Sequence, residues 1–224
     1  MKQQFILDGQ SVELNITHMV NAGYAGSDQA GVQAHIEELA AIGVPVPHRV
    51  PVFYPVPVDQ LCMQNEIQVT HDRTSAEIEY VYIFSGGKRY ITVGSDHTDR
   101  ALEAVNVHRS KQICPNIIAS ELWSYDRVED HLDQLTLTCE VYENGAWRVY
   151  QNGPVTALLS PEALLELGSE AMGGTDGLVL YSGTISTIGE ISYANRWRVT
   201  LADQKQVKQI TAEYTVQQLP GAIE

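Results

Sequence analysis

The chain has 224 residues, 44% hydrophobic and 19% charged, a composition that supplies one sizeable core and leaves no long segment to disorder. Acidic residues outnumber basic ones 28 to 14, and the net charge of −14 comes without any basic stripe, which argues against nucleic acid and anionic membrane as partners. The opening MKQQFILDGQ lacks the apolar stretch of a secretory signal, no window approaches a bilayer span, and Cys62, Cys114 and Cys139 are too scattered for a disulfide framework or zinc knuckle, so a soluble, cytoplasmic protein with buried free thiols is expected.

In chain order, QFIL and SVELNI flank an Asp8-Gly9 turn and read as a β-hairpin. Ser27 or Asp28 can then cap a helix in which Val32, Ala34, Ile36, Leu39 and Ile42 recur at helical spacing until Gly43 stops it. Next, VPVPHRVPVFYPVPV holds five prolines in fifteen residues, so it is expected to run extended, outside any central strand. EIQV is a strand, and AEIEYVYIF and RYITVGSD form a hairpin about Gly86-Gly87. Residues 98–112 read as helical, and SELWSYDRVEDHLDQL reads as mixed. Asn144-Gly145 turns a second strong hairpin, LTLTCEVYENGAWRVYQNG. SPEALLELGSEA is a helix capped by Ser160 with Pro161 in its first position and its end approached at Gly168. GLVLYSGT, ISYANRWRVTL and VKQITAEYTVQQL supply three further strands. With no internal repeat and no regular strand–helix alternation, the pattern predicts an α+β protein built on a mixed or antiparallel sheet.

Several groups could carry chemistry. Glu77 and Glu79 lie two apart on a strand, so both carboxylates point to one face, which is either solvent or a cleft where they need cations, protons or a metal. Hard cations such as Mg²⁺ and Mn²⁺ take oxygen ligands, and Asp96, returned across the Gly86-Gly87 hairpin, can supply a third. Polar residues bunch in GSDHTDR, where Arg100 could grip a carboxylate, while Lys111 could place a point charge on a developing oxyanion; the alternative is an ordinary turn and a solvated helix. His35 and Glu38, three apart on the early helix, can form a general-base pair or a solvated one. His97 matters as the neighbour of Asp96. Gly183 permits close backbone approach, and Thr184 offers a hydroxyl and an amide.

Taken in order, His-x-x-Glu on an early helix, PVFYP, Glu-x-Glu, Asp-x-x-x-Arg, Lys and a late Gly-Thr resemble the fumarylacetoacetate hydrolase family over about residues 20–219. The layout is closest to its small single-domain members, and GSDHTDR and SKQICP are similar to a bacterial branch labelled only as a domain of unknown function. The resemblance implies a mixed β-sandwich roll with peripheral helices, one domain over 1–224 with residues 1–19 as an N-terminal hairpin and 20–224 as the catalytic core, and a homodimer. It implies Glu77, Glu79 and Asp96 as ligands of Mg²⁺ or Mn²⁺, His35, Glu38 and Lys111 as catalytic residues, and Arg100, Tyr54 and Thr184 as contacts to a small oxo-acid substrate. The expected activity is hydrolytic C–C cleavage of a 2-oxo or 2,4-dioxo acid, with decarboxylation, hydration or isomerisation through the same enolate, or non-catalytic metabolite binding, as alternatives. The chain departs from the family where Phe53-Tyr54-Pro55 replaces Phe-x-Lys-Pro, so a substrate-facing lysine is missing, where Ile185 replaces the proline after Thr184, and where Ala101 replaces an aspartate.

Overall fold

The structure is a computed structural model that describes residues 1–41 and 46–222, without the side chains of residues 35, 38, 39 and 41. A ten-stranded mixed sheet runs in the order Gln10–Asn15, Lys2–Leu7, Glu121–Ser124, Lys88–Asp96, Ile78–Ser85, Leu178–Tyr181, His18–Gly23 and Val52–Val56, with Asn116–Ile118 and Leu61–Cys62 attached beside Lys88–Asp96. A five-stranded sheet runs Ala146–Pro154, Leu135–Glu143, Arg196–Asp203, Lys208–Gln218 and Glu66–Val69. Both sheets are mixed, because Lys2–Leu7, Leu178–Tyr181 and Lys208–Gln218 each have a parallel neighbour.

The main core lies where the sheets face each other, with Ile78, Tyr80, Tyr82, Ile91 and Val93 packed among Leu137, Cys139, Trp197, Val199, Leu201 and Tyr214. A second cluster, including Phe5, Leu14, Met19, Val81, Ile83 and Val179, covers the other face of the large sheet. The Ile78–Ser85 strand is therefore buried on both sides, which is why it reads as an almost unbroken apolar run. Alternation along it sends Ile78 and Tyr80 to the first cluster and aligns Glu77 and Glu79 with Val81 and Ile83 on the second face.

Most local expectations hold. Asp8 and Gly9 both have positive φ (50° and 76°), as do Asn144 and Gly145 (53° and 80°), the backbone that two-residue hairpins require. The proline-rich segment contributes the strand Val52–Val56, and it is the sheet's edge strand, where missing N–H donors are tolerated. Four readings change. Residues 98–112 form two short helices, Arg100–Glu103 and Val107–Ile113, because the Asn106 side chain accepts the Arg109 N–H and starts a new helix. The later helix runs over Pro161–Met172 and ends at Gly173 (φ 63°); Gly168 is internal, where an added Cβ would fall 2.7 Å from Phe53. The strand in ISYANRWRVTL begins only at Arg196, and Cys62 is half-buried. Ile42 and Gly43 lie outside the described residues. Among those described, no helix is long and apolar enough to cross a membrane.

Candidate metal and substrate site

Register brings three carboxylates together. Glu79 pairs with Gly94, and the Asp96 N–H donates to the Glu77 carbonyl at 3.1 Å, so Asp96 shares a face with Gly94 and meets both glutamates. One oxygen from each of Glu77, Glu79 and Asp96 lies within 4.8 Å of the others, and all three side chains are buried. Gly94 makes this possible: a Cβ there would stand 2.4 Å from the Ile117 carbonyl and 2.8 Å from Tyr181, so any larger residue would push the neighbouring strand away. The Ser95 hydroxyl accepts the Glu77 N–H at 3.1 Å and fixes the backbone where the strand begins.

The charges are answered from one side. Lys111 Nζ donates to Glu77 Oε2 at 3.1 Å and also to Asp96 Oδ2, while Arg100 Nη1 donates to Glu77 Oε1 and to Glu103 Oε2, both at 2.8 Å. Arg100 Nε is held by Ser75 Oγ at 2.7 Å, and Thr98 Oγ1 donates to Glu77 Oε2 at 3.2 Å. Burial opposes ionisation of Glu77, yet Arg100 and Lys111 together outweigh it and hold the carboxyl at about 2. Glu79 has no such cation of its own, so burial, with Asp96 and Glu77 beside it, drives its pKa well above the carboxylate range. Burial also raises Asp96, against the pull of Lys111. Lys111 stays protonated because Asp96, Glu77 and Glu79 overcome its desolvation.

The Gly183 N–H donates to Glu79 Oε2 at 2.8 Å. Gly183 holds φ 83°, and a Cβ there would come 3.1 Å from the Ala22 carbonyl, so only glycine presents this amide without strain. Glu79 Oε1 is buried with no partner, as are Asn116 Oδ1 and both polar atoms of the Asn21 amide; Asn116 Nδ2 donates to Asp96 Oδ1 at 3.3 Å, and Asn21 adjoins Asp96. An orphaned carboxylate oxygen within an acidic triad is what a hard divalent cation would satisfy, and an all-oxygen donor set fits Mg²⁺ or Mn²⁺ and not a thiophilic ion.

Beside the triad opens a cavity of about 610 Å³, lined by Glu77, Glu79, Tyr54, Arg100, Lys111 and Thr184 among others. Six of the residues singled out in the sequence thus meet there, and Asp96 joins them through its ion pair with Lys111. The Lys111 ammonium stands 5.9 Å from the centre of the Tyr54 ring. Burial pushes the Tyr54 phenol up to about 12, so it stays a hydrogen-bond donor. The Thr184 hydroxyl is already engaged, donating to the Ile78 carbonyl and accepting from Gln151 Nε2, both at 2.8 Å. The helix Gln29–Ala41 contributes Gly31 and Val32 to the wall, whereas the side chains of His35 and Glu38 lie outside the described residues. His97, just past the end of the strand Lys88–Asp96, is bonded instead to Tyr214 Oη at 3.0 Å and Thr74 Oγ1 at 2.9 Å, and burial holds it neutral with a pKa of about 3.

Sequence reasoning missed Glu103, Asn116 and Gln151. Glu103 was signalled by its i, i+3 spacing from Arg100. Gln151, fully buried and bridging Ile78 N–H at 3.0 Å to Thr184 and the Ile185 carbonyl at 2.5 Å, gave no signal beyond a polar residue in a strand, and Asn116 gave none.

These sheets and their acidic cavity define the fumarylacetoacetate hydrolase-like fold. The chain is similar in structure to fumarylpyruvate hydrolase from Pseudomonas aeruginosa, solved with Mn²⁺ and pyruvate, at a TM-score of 0.68 and 16% identity over 97% of this chain and 97% of that one. It is similar also to 2-keto-3-deoxy-D-arabinonate dehydratase complexed with magnesium and 2,5-dioxopentanoate, at a TM-score of 0.64 and 16% identity over 92% of this chain and 74% of that one. By sequence the chain belongs to the family described as Protein of unknown function (DUF2848), whose model matches residues 22–214. No protein of curated function matches it in sequence.

Proposed function

We propose that this protein is a metal-dependent enzyme that cleaves a C–C bond hydrolytically in a 2-oxo or 2,4-dioxo acid of acylpyruvate type. The observation that carries the reading is the convergence of Glu77, Glu79 and Asp96, with an orphaned Glu79 oxygen, beside a cavity that also holds Lys111. The likeness in fold to a hydrolase and a dehydratase solved with divalent ions and oxo compounds supports the same class. Glu77, Glu79 and Asp96 would hold Mg²⁺ or Mn²⁺, which when bound polarises the carboxylate and 2-oxo oxygens of an oxo acid.

The chain's own groups do the rest. Tyr54, kept protonated, donates a hydrogen bond to the substrate, and Arg100 fixes Glu77 from behind while facing the same cavity. To His35, with Glu38 the general-base pair expected from the sequence, we assign the proton of a water whose oxygen attacks the distal carbonyl. When the C–C bond breaks, its electron pair becomes an enolate, and the Lys111 ammonium, already in a strongly anionic setting, stabilises the enolate oxygen. The Thr184 hydroxyl is committed to Ile78 and Gln151, so its part is to shape the wall around the substrate. The soluble, cytoplasmic location expected from the sequence and the homodimer implied by the family resemblance belong to the same proposal.

The test is a screen of purified, Mn²⁺-loaded protein against 2-oxo and 2,4-dioxo acids, following loss of enol absorbance. Turnover of an acylpyruvate that His35→Ala abolishes supports the reading. Decarboxylation of oxaloacetate that survives the same substitution, with no hydrolysis of any acylpyruvate, replaces it with a decarboxylase.

A further inference from the structure

We propose that Glu103, with Asp28 at the rim, makes this cavity select an oxo acid whose far end is uncharged and donates hydrogen bonds, and makes it reject dicarboxylates. This rests on the oxo-acid reading above and narrows its substrate class.

The argument is one of charge allocation. Among the described residues, the charged groups lining the cavity are the acids Asp28, Glu77, Glu79 and Glu103 and the bases Arg100 and Lys111. Neither base is free for a second carboxylate. Lys111 is shared between Glu77 and Asp96 with its side chain only 6% exposed, and Arg100 is shared between Glu77 and Glu103 and also tied to Ser75. Glu77, Glu79 and Asp96 are taken by a divalent cation and, through it, by the 2-oxo-carboxylate head. Among the described side chains, the charged groups that remain to meet the far end of the substrate are acidic.

Exposure decides which partner of the outer ion pair faces a ligand. The Arg100 side chain is 10% exposed and that of Glu103 is 29%, so the carboxylate forms the surface and the guanidinium lies beneath it. Glu103 is close enough for its charge to bear on both Tyr24 and Tyr54, two phenols of the same wall that burial keeps protonated. Asp28, at the start of the helix Gln29–Ala41, adds a second exposed carboxylate, one oxygen of which accepts the Ala30 N–H at 3.1 Å. A far-end carboxylate would thus be desolvated against Glu103 with no counter-charge among the described side chains, whereas a hydroxyl can donate to it.

Calorimetric titration of the Mg²⁺-loaded protein with three 2-oxo acids of equal chain length, ending in methyl (2-oxohexanoate), hydroxymethyl (6-hydroxy-2-oxohexanoate) or carboxylate (2-oxoadipate), tests this. The expected order is hydroxymethyl tightest and carboxylate weakest, with 2-oxoadipate roughly tenfold or more weaker than 2-oxohexanoate. In Glu103→Gln that gap should close to within about threefold, because the amide removes the like charge. Equal or tighter binding of 2-oxoadipate by the wild type overturns the inference, and an unchanged gap in a folded Glu103→Gln overturns the role of Glu103. Should that variant not fold, the wild-type order alone decides. If Mg²⁺ binds and none of the three acids does, the oxo-acid reading fails, and this inference fails with it.

Discussion

Two buried clusters of charge in this molecule look alike in burial and differ in everything that matters for chemistry. His131 and Asp203 pair at 3.1 Å with side chains 3% and 0% exposed, and the second oxygen of Asp203 accepts the Gln206 N–H at 2.9 Å. Both carboxylate oxygens are used, and Asp203 does not line the cavity beside the triad. At Glu77, Glu79 and Asp96 the carboxylates outnumber the cations they touch, a buried oxygen of Glu79 has no partner, and a cavity of about 610 Å³ reaches the group. Burial of charge marks both places; unanswered charge beside open volume marks only the second.

Removing the central cation is the strongest way to test this contrast. Lys111→Met leaves Glu77 and Asp96 facing each other without Nζ, and denaturant unfolding in the presence of a chelator should show a loss of about 3–5 kcal/mol. Excess Mg²⁺ should restore a large part of it, because an ion that binds only the folded state stabilises that state. A loss that Mg²⁺ leaves unchanged would put the lysine in the same class as a closed structural pair.

Asp203→Asn is the control from the closed cluster. It should cost about 1–3 kcal/mol by leaving His131 with a weaker partner, and Mg²⁺ should recover none of it. Its pH signature follows from sign. Burial would raise the Asp203 carboxyl, but the His131 hydrogen bond and the backbone N–H groups of Gln206 and Lys205 lower it overall. A carboxylate lowered on folding stabilises above its unfolded pKa and loses that stabilisation as pH falls through its folded value. The wild type should therefore lose its advantage over Asp203→Asn in acid, below the ordinary carboxylate range, and keep it at neutral pH.

The smallest effect should come from a site away from both clusters. Ser160→Ala removes the hydroxyl that accepts the Ala163 N–H at 3.3 Å and should cost about 1 kcal/mol with no change in metal affinity. A change in metal affinity there would mean that overall stability, and not the triad, governs binding.

What could be read ahead of the structure follows the same physics. The triad was legible because strand alternation and the turn at Gly86-Gly87 fix the register, and register alone puts Asp96 opposite Glu77. Turn and cap chemistry was legible wherever it is local, as at Asn144-Gly145 and Ser160. What could not be read depends on contacts distant in sequence. The pairing of Arg100 with Glu77 spans 23 residues and that of Lys111 with Glu77 spans 34, so the sequence offered two bases without saying that they would be spent on the triad. The i, i+3 spacing of Glu103 from Arg100 is legible locally, but its place over the cavity depends on Arg100 being folded beneath it. Gly168 reads as the approach of a helix end because its close contact with Phe53, from the edge strand, is invisible locally. Asn106 carried a local signal for splitting residues 98–112, and the helical run around it masked that signal.

The most direct measurement is calorimetric titration of Mn²⁺ into the wild type and into Glu79→Gln. In the metal-free protein burial, with Asp96 and Glu77 beside it, favours the neutral form of Glu79, which the amide reproduces, so the variant should fold at least as stably as the wild type. It nevertheless lacks an anionic ligand. The account predicts one Mn²⁺ per wild-type chain and a loss of affinity of at least about tenfold to a hundredfold in a folded Glu79→Gln. Wild-type protein that binds no Mn²⁺, or a variant that binds it equally well, would contradict the claim that the triad is a divalent-cation site.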